Sequence, residues 1–426
     1  MEAAIIKTIG ELIHDARCTL NITLTELSEL SGIHKETISS IEKGDVAQPK
    51  FQTILPLARA LNIPFEKLVD YYVEVETRSN HLICIYQAAL TQGSSTEVIR
   101  KVAAKYLESN DDRLDLIEKL FESIDSIEDI SIKISLYDLI IDYSRLHGIM
   151  PYIAKGMYQK YLIERNDFSR LKETYFSGKY VLNYVDFLSI EERVSLFYKL
   201  GIHAYTLSYH NECIDHCKEV LKSEGSSYKA DAIGVLIDAY FSIGAYTKSE
   251  LYLIQYKNFI YPHTKENVVL MDAFFNTKKG NINDAIEQLE LFLETCSSAF
   301  IIPATKQLLE LYLMQNDLEG AKSILKNSKV AASVVDDSNP LVCATYADYL
   351  QVKGDFYLAA GDINNSLSHM VESALWYSKI SDTTKEKKVL NKAMYIHLTN
   401  NVSAESTLAK LRDYYQRSMK ELGGLA

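Results

Sequence analysis

Apolar residues recur every three or four positions along most of this chain, the spacing of one face of an α-helix. Ile9, Leu12, Ile13 and Ala16 predict a first helix over 5–18. Thr23 stands where an N-cap belongs, with Glu26 three residues on as a capping-box partner. A second helix is therefore expected over Leu24–Ser31, stopped by Gly32. Ile33, Ile38 and Ile41 make the apolar side of a third helix, ended by Gly44, so that His34, Lys35, Glu36, Thr37 and Ser40 face away from it. Two more short helices complete a five-helix module by Asp70. Pro56 falls inside the fourth, where its missing N–H should make that helix begin late or bend.

From about residue 75 the pattern changes to paired helices with a fixed repeat. The turns within the pairs fall at Ser208, Gly244, Gly280, Asn316 and Gly361, in steps of 36, 36, 36 and 45. The longer step contains a loop insertion at Ser328–Pro340. An aromatic precedes most of these turns (Tyr205, Tyr240, Tyr312, Tyr357), and a small residue follows five positions later (Cys213, Ser249, Ala285, Ala321, Ser366). A bulky residue comes four further on, as Leu253, Leu289, Leu325 and Met370. A weaker copy at Asn166-Asp167-Phe168 and pairs over 75–150 extend the array upstream, and 387–419 closes it. Pro262, Pro303 and Pro340 are expected at the joints between repeats.

Both halves carry resemblances. Ile9-Gly10, Arg17, Thr23-Leu24-Thr25-Glu26-Leu27-Ser28, Ser31-Gly32-Ile33, Ile38-Ser39-Ser40-Ile41-Glu42-Lys43-Gly44, Pro49 and Leu57-Ala58-Arg59-Ala60-Leu61-Asn62-Ile63 resemble the phage-repressor-like helix-turn-helix family. The resemblance implies that Lys35, Glu36, Thr37 and Ser40 read a double-stranded DNA operator, with Arg17, Lys43 and Lys50 near phosphates. His34 occupies the position where that family commonly has a Ser or Thr cap. The repeat resembles the tetratricopeptide pattern. The fold class expected is thus all-α: a helix-turn-helix domain over 1–72, then a right-handed tetratricopeptide solenoid over 73–426.

Such solenoids present a concave surface suited to extended peptides. In the repeat frame the inward positions of the first helices include Tyr198, Ile202, Tyr205, Asp238, Phe241, Asn267, Phe274, Lys306, Glu310, Gln351 and Asp355, with Asn276, Asn400 and Asn401 as further amides. Together they supply aromatic area, amide groups for a peptide backbone and charges of both signs. For any single one, ordinary packing between repeats is the competing reading.

Composition sharpens this picture. Gly and Pro together are 24 of 426 residues, about 6% against a usual share of about 12%, too few turn residues for a many-stranded β-fold. The net charge of −12 argues against broad nonspecific binding to nucleic acid or anionic membrane. Residues 1–72 carry seven Lys and Arg against ten Asp and Glu, a charge of −3, which points to modest DNA affinity without dimerisation, or to a protein-interaction module. The six Cys are scattered, unlike a secreted disulfide scaffold. No signal peptide and no apolar run of the roughly 20 residues a membrane helix requires is seen, so a cytoplasmic location without membrane partners is expected. His210, Cys213 and Cys217 share a helical face, but the two thiols sit at packing positions, and buried structural Cys is the better reading. The basic run Lys385–Lys388 reads as a solvated helix start. No catalytic residue, metal or cofactor is predicted.

The combination resembles the RRNPP family of bacterial quorum-sensing regulators, its neutral-protease regulator group in particular. That resemblance implies a short signalling peptide bound in the groove, a homodimer or higher homo-oligomer, and transcription switched by the peptide. Relatives with the same array but no DNA-binding module act on phosphorelay response regulators of sporulation. A partner of that kind is the alternative, with Glu74–Gln92, including Tyr86 and Gln87, as its surface.

Overall fold

Thr8 and Thr23 each accept the backbone N–H three residues on, while Glu11 and Glu26 reach back to the capping N–H; these two boxes start α1 (Ile9–Thr19) and α2 (Leu24–Ser31). Gly32 ends α2 in the left-handed conformation. The structure is a computed structural model that describes residues 8–46, 48–223, 225–327, 330, 335, 339–400 and 403–423. Residues 5–7 of the expected first helix, most of the Ser328–Pro340 insertion, and Asn401 lie outside them.

The chain divides into two compact units, Met1–Ile163 and Glu164–Ala426. In the first, α1 and α2 are followed by α3 (Lys35–Glu42), α4 (Phe51–Ala60), α5 (Phe65–Val75), α6 (Ser79–Thr91), α7 (Thr96–Leu107), α8 (Arg113–Ile124), α9 (Ile130–His147) and α10 (Met150–Glu164), which ends at the boundary. One apolar core runs through it, from Ile13, Leu27, Ile38, Ile54 and Leu68 to Ile85, Val102, Leu120 and Ile140. The five-helix segment is thus packed together with the helices that follow it in this unit. Helix α4 begins at Phe51, five residues ahead of Pro56, so the proline does not delay it. Gly10 is needed where α1 crosses α3, because a Cβ there would stand 2.2 Å from the Ile41 carbonyl oxygen.

The second unit holds α11 (Leu171–Tyr180), α12 (Ile190–Thr206), α13 (His210–Leu221), α14 (Lys229–Ser242), α15 (Tyr246–Tyr256), α16 (Pro262–Lys278), α17 (Ile282–Thr295), α18 (Ser298–Met314), α19 (Leu318–Asn327), α20 (Pro340–Ala359), α21 (Ile363–Lys379), α22 (Thr383–Thr399) and α23 (Ala404–Gly423). Short 3-10 turns lie at Phe168–Arg170 and Val181–Phe187. All five repeat markers, Ser208, Gly244, Gly280, Asn316 and Gly361, adopt positive φ. That left-handed turn reverses the chain between paired helices, which is why Gly and Asn dominate there. The small residues five positions on, Cys213, Ser249, Ala285, Ala321 and Ser366, are all fully buried, so each second helix lies close against its partner. Pro262 and Pro340 open α16 and α20, where no N–H is missed. Pro303 departs from the expected joint: it sits in the sixth position of α18, one hydrogen bond short but within a helix held by its buried neighbours Ala304, Leu308 and Leu309.

The architecture is all-α, a helix-turn-helix followed by a tetratricopeptide-type solenoid, with no strand among the described residues. Nor is any described helix long and apolar enough to cross a membrane.

Candidate functional site

Two surfaces gather the candidate residues. On the first unit, α3 buries Ile38 and Ile41 and leaves His34, Lys35, Glu36 and Thr37 exposed, with Ser40 half-buried beside them. His34 is the N-cap but makes no side-chain capping bond, so α3 lacks the hydroxyl cap that Thr23 gives α2. Lys43 and Lys50 are exposed at the end of α3 and the start of α4. Arg17 is placed differently from the expected phosphate contact. Its Nε and Nη2 donate to the two carboxylate oxygens of Glu42 at 2.7 and 2.8 Å, and its Nη1 to the Ile22 carbonyl at 3.0 Å. Its guanidinium is a strut between α1 and α3.

A buried carboxylate that the spacing of residues did not reveal sits just past α5. Glu76 is 1% exposed and accepts from the backbone of Thr77 and Arg78, from the Arg78 guanidinium and from His81. Burial opposes its charge, but the bonds from Arg78 and His81 together outweigh it and hold the carboxyl at about 2. Within Glu74–Gln92, Tyr86 is buried with its hydroxyl 3.1 Å from Ser123 Oγ, whereas Gln87 is exposed.

On the second unit, α12, α14, α16, α18 and α20 are the first helices of successive pairs, and their inward faces line an open groove of about 950 Å³. Tyr205, Asp238, Phe241, Phe274, Lys306, Glu310, Gln351 and Asp355, all expected from the repeat register, line it. Ser242, Met271, Thr277, Lys278, Gln307, Leu313, Met314 and Val352 line it too. Most of these stand three, four or seven positions from an expected residue on the same helix, so a full helical stripe, rather than one or two positions per helix, finds them. Three expected residues are used elsewhere. Tyr198 stacks on Tyr228 at 4.6 Å, Asn267 hydrogen-bonds the Tyr256 hydroxyl, and Asn276 donates to Gln288 Oε1 at 3.2 Å. Asn400 donates to the Ile396 carbonyl, as a helix terminus.

The walls are aromatic: Phe241 lies 5.8 Å from Phe274 and 5.1 Å from Tyr246, with the Lys278 ammonium over both the Phe241 and Tyr246 rings. Lys306 pairs with Glu310 at 2.8 Å, and Asp355 with Lys392 at 2.7 Å. Burial pushes the Asp238 carboxyl up to about 7. Cys213 and Cys217 are buried, and Gly201 makes room for the Cys217 sulfur, which a Cβ there would approach to 2.6 Å. A trough lined by aromatic rings, the amides of Gln307 and Gln351 and charges of both signs suits an extended ligand with both apolar and polar groups.

An exposed helix beside a short capped one, and a repeat solenoid with a lined groove, together define a transcriptional regulator of the helix-turn-helix plus tetratricopeptide class. A helix-turn-helix family model matches residues 13–68. The uncharacterized HTH-type transcriptional regulator RghRB of Bacillus subtilis (strain 168) is 32% identical over 95 residues, 20% of this chain and 68% of that protein. The chain belongs to the HTH-type transcriptional regulators. A tetratricopeptide repeat protein from Parabacteroides merdae ATCC 43184 aligns with TM-score 0.50 and 13% identity over 65% of this chain and 98% of its own, a likeness of fold. Bacillus thuringiensis PlcR in complex with the peptide PapR7 and DNA aligns over 75% of this chain and 94% of its own at 15% identity, with TM-score 0.28.

Proposed function

We propose that the chain is a cytoplasmic, peptide-responsive transcription factor of the RRNPP type, resembling the NprR group. In this reading 1–72 binds an operator through Lys35, Glu36, Thr37 and Ser40, with His34, Lys43 and Lys50 at the flanks, and 73–426 binds the peptide and assembles homo-oligomers. The observation that supports it is the convergence of eight register-derived residues, from the first helices of five successive pairs, on one groove of about 950 Å³. A peptide that favours one oligomeric arrangement shifts the equilibrium by no more than its difference in affinity for the two.

The test is to titrate the purified full chain with synthetic short peptides encoded beside its gene. Heat of binding, light scattering and the affinity for a duplex selected from a random pool are followed together. A peptide that binds should change both molar mass and duplex affinity. Peptides that bind while leaving both unmoved would sink the switch.

A further inference from the structure

Of the three carboxylates that line the groove, Asp238, Glu310 and Asp355, two are in ion pairs within the protein. Lys306 is matched by Glu310, and Asp355 by Lys392. Lys278 lies over the rings of Phe241 and Tyr246, with no carboxylate in ion-pair distance among the described residues. Asp238 is different: its carboxyl opens into the cavity from the middle of α14 and has no cation within ion-pair distance among the described residues.

The groups on α12, α13 and α15 that face it are neutral. Tyr205 of α12, hydrogen-bonded to Ser242, feels its charge, as do Cys213 of α13 and Tyr256 of α15. Across the cavity the remaining charged groups are Lys278, the Lys306–Glu310 pair and Asp355, already placed above. Asp238 is half-buried, and a carboxyl partly withdrawn from water without a partner is disfavoured in its ionised form. A cationic ligand group would relieve that cost, and the aromatic faces of Phe241 and Phe274 beside it would favour the same group.

We propose that Asp238 is the anchoring residue for a cationic group of the groove ligand, a Lys or Arg side chain or a free N-terminal amine. The assignment rests on the groove being the ligand site. It has a consequence in pH. With its carboxyl held near 7 in the free chain, Asp238 is partly protonated at neutral pH and must lose that proton when the cation binds. Binding of a Lys or Arg side chain then strengthens as pH rises from 6 to 8 and releases protons into the buffer, whereas for a terminal amine, which itself loses its proton near about pH 8, the gain levels off above neutrality.

The experiment incubates the full chain with a random heptapeptide library in two halves, one with free and one with acetylated N-termini, and reads retained peptides by mass spectrometry. A Lys or Arg enriched at one position in both halves identifies a side-chain cation; retention that disappears on acetylation identifies the terminal amine. In either case Asp238→Asn should weaken the selected peptide by about thirty-fold or more, and Asp238→Glu should restore much of it. Calorimetry in two buffers of different ionisation enthalpy should show proton release for the native chain and none for Asp238→Asn. Retained peptides without a shared cation, or an unchanged affinity in Asp238→Asn with its thermal midpoint preserved, overturns the assignment while leaving the groove reading intact. Retention of no peptide by the native chain overturns the groove reading and the assignment with it.

Discussion

Arg17 and Glu42, 25 residues apart, meet in a two-pronged pair with both side chains largely withdrawn from water, at 15% and 7% exposure. The pair joins α1 to the last residue of α3, so the exposed face of α3 is held by a contact that does not belong to it. Removing one partner of a buried pair strands the other. Arg17→Ala should lower the opening free energy of α3 amides by about 3 kcal/mol, read by hydrogen exchange on the full chain. Arg17→Lys should rescue little of it, since an ammonium cannot span both carboxylate oxygens. Unchanged α3 protection would remove the strut from this account.

Gly10 offers a second handle on the same crossing. Its neighbour is a backbone carbonyl, at 2.2 Å from a would-be Cβ, which cannot rotate away as a side-chain end could. Gly10→Ala should therefore push α1 off α3 and destabilise the unit by about 1–3 kcal/mol or more, seen as faster exchange in both helices. A neutral outcome would mean that the helices can separate without loss.

Lys35 and Thr37 are exposed on α3 and lie far from the groove in sequence. The double change Lys35→Ala with Thr37→Ala should weaken binding to a selected duplex by about a hundredfold and leave peptide affinity unaltered. Fluorescence anisotropy on a matched and a scrambled duplex separates lost specificity from lost charge. Equal binding by variant and native chain would exclude this face as the reader.

Glu76 gives a pH signature. Its carboxyl is held at about 2, below the ordinary 4.5. A depressed carboxyl stabilises the folded state fully above about pH 4.5, and that contribution is lost as pH falls toward 2. The difference corresponds to about 3 kcal/mol. Protection factors of α5 and α6 amides, corrected for the intrinsic exchange rate at each pH, should fall across that window in the native chain, and Glu76→Gln should be weaker at neutral pH with a flatter acid profile. Parallel profiles would show that the bonds from Arg78 and His81 contribute nothing net.

Much of this molecule was legible before its tertiary structure. The capping box at Thr23 and the stop at Gly32 are local events, decided within four residues. The turns at Ser208, Gly244, Gly280, Asn316 and Gly361 repeat because each requires the left-handed conformation, and the small residues five positions later repeat because each meets a partner helix. A repeat whose neighbours look alike also places one inward stripe per helix, which is why eight groove residues could be named from register alone.

What the linear pattern left open depends on groups brought together from far apart. Nothing near Arg17 in the chain shows that Glu42 takes its guanidinium, and nothing near Glu76 shows that its carboxylate is buried. Pro303 looks like a joint but continues a helix, because burial of its neighbours outweighs one absent hydrogen bond. Asn267 and Asn276 lie in the expected stripe yet are bonded to adjacent helices. The sequence by itself determined the helices, the repeat and the two surfaces, since these follow from periodicity and short-range sterics. Only the tertiary structure decided which charges on those surfaces are already paired, because pairing depends on distances across the fold; among the described residues it left Asp238 without an ion pair.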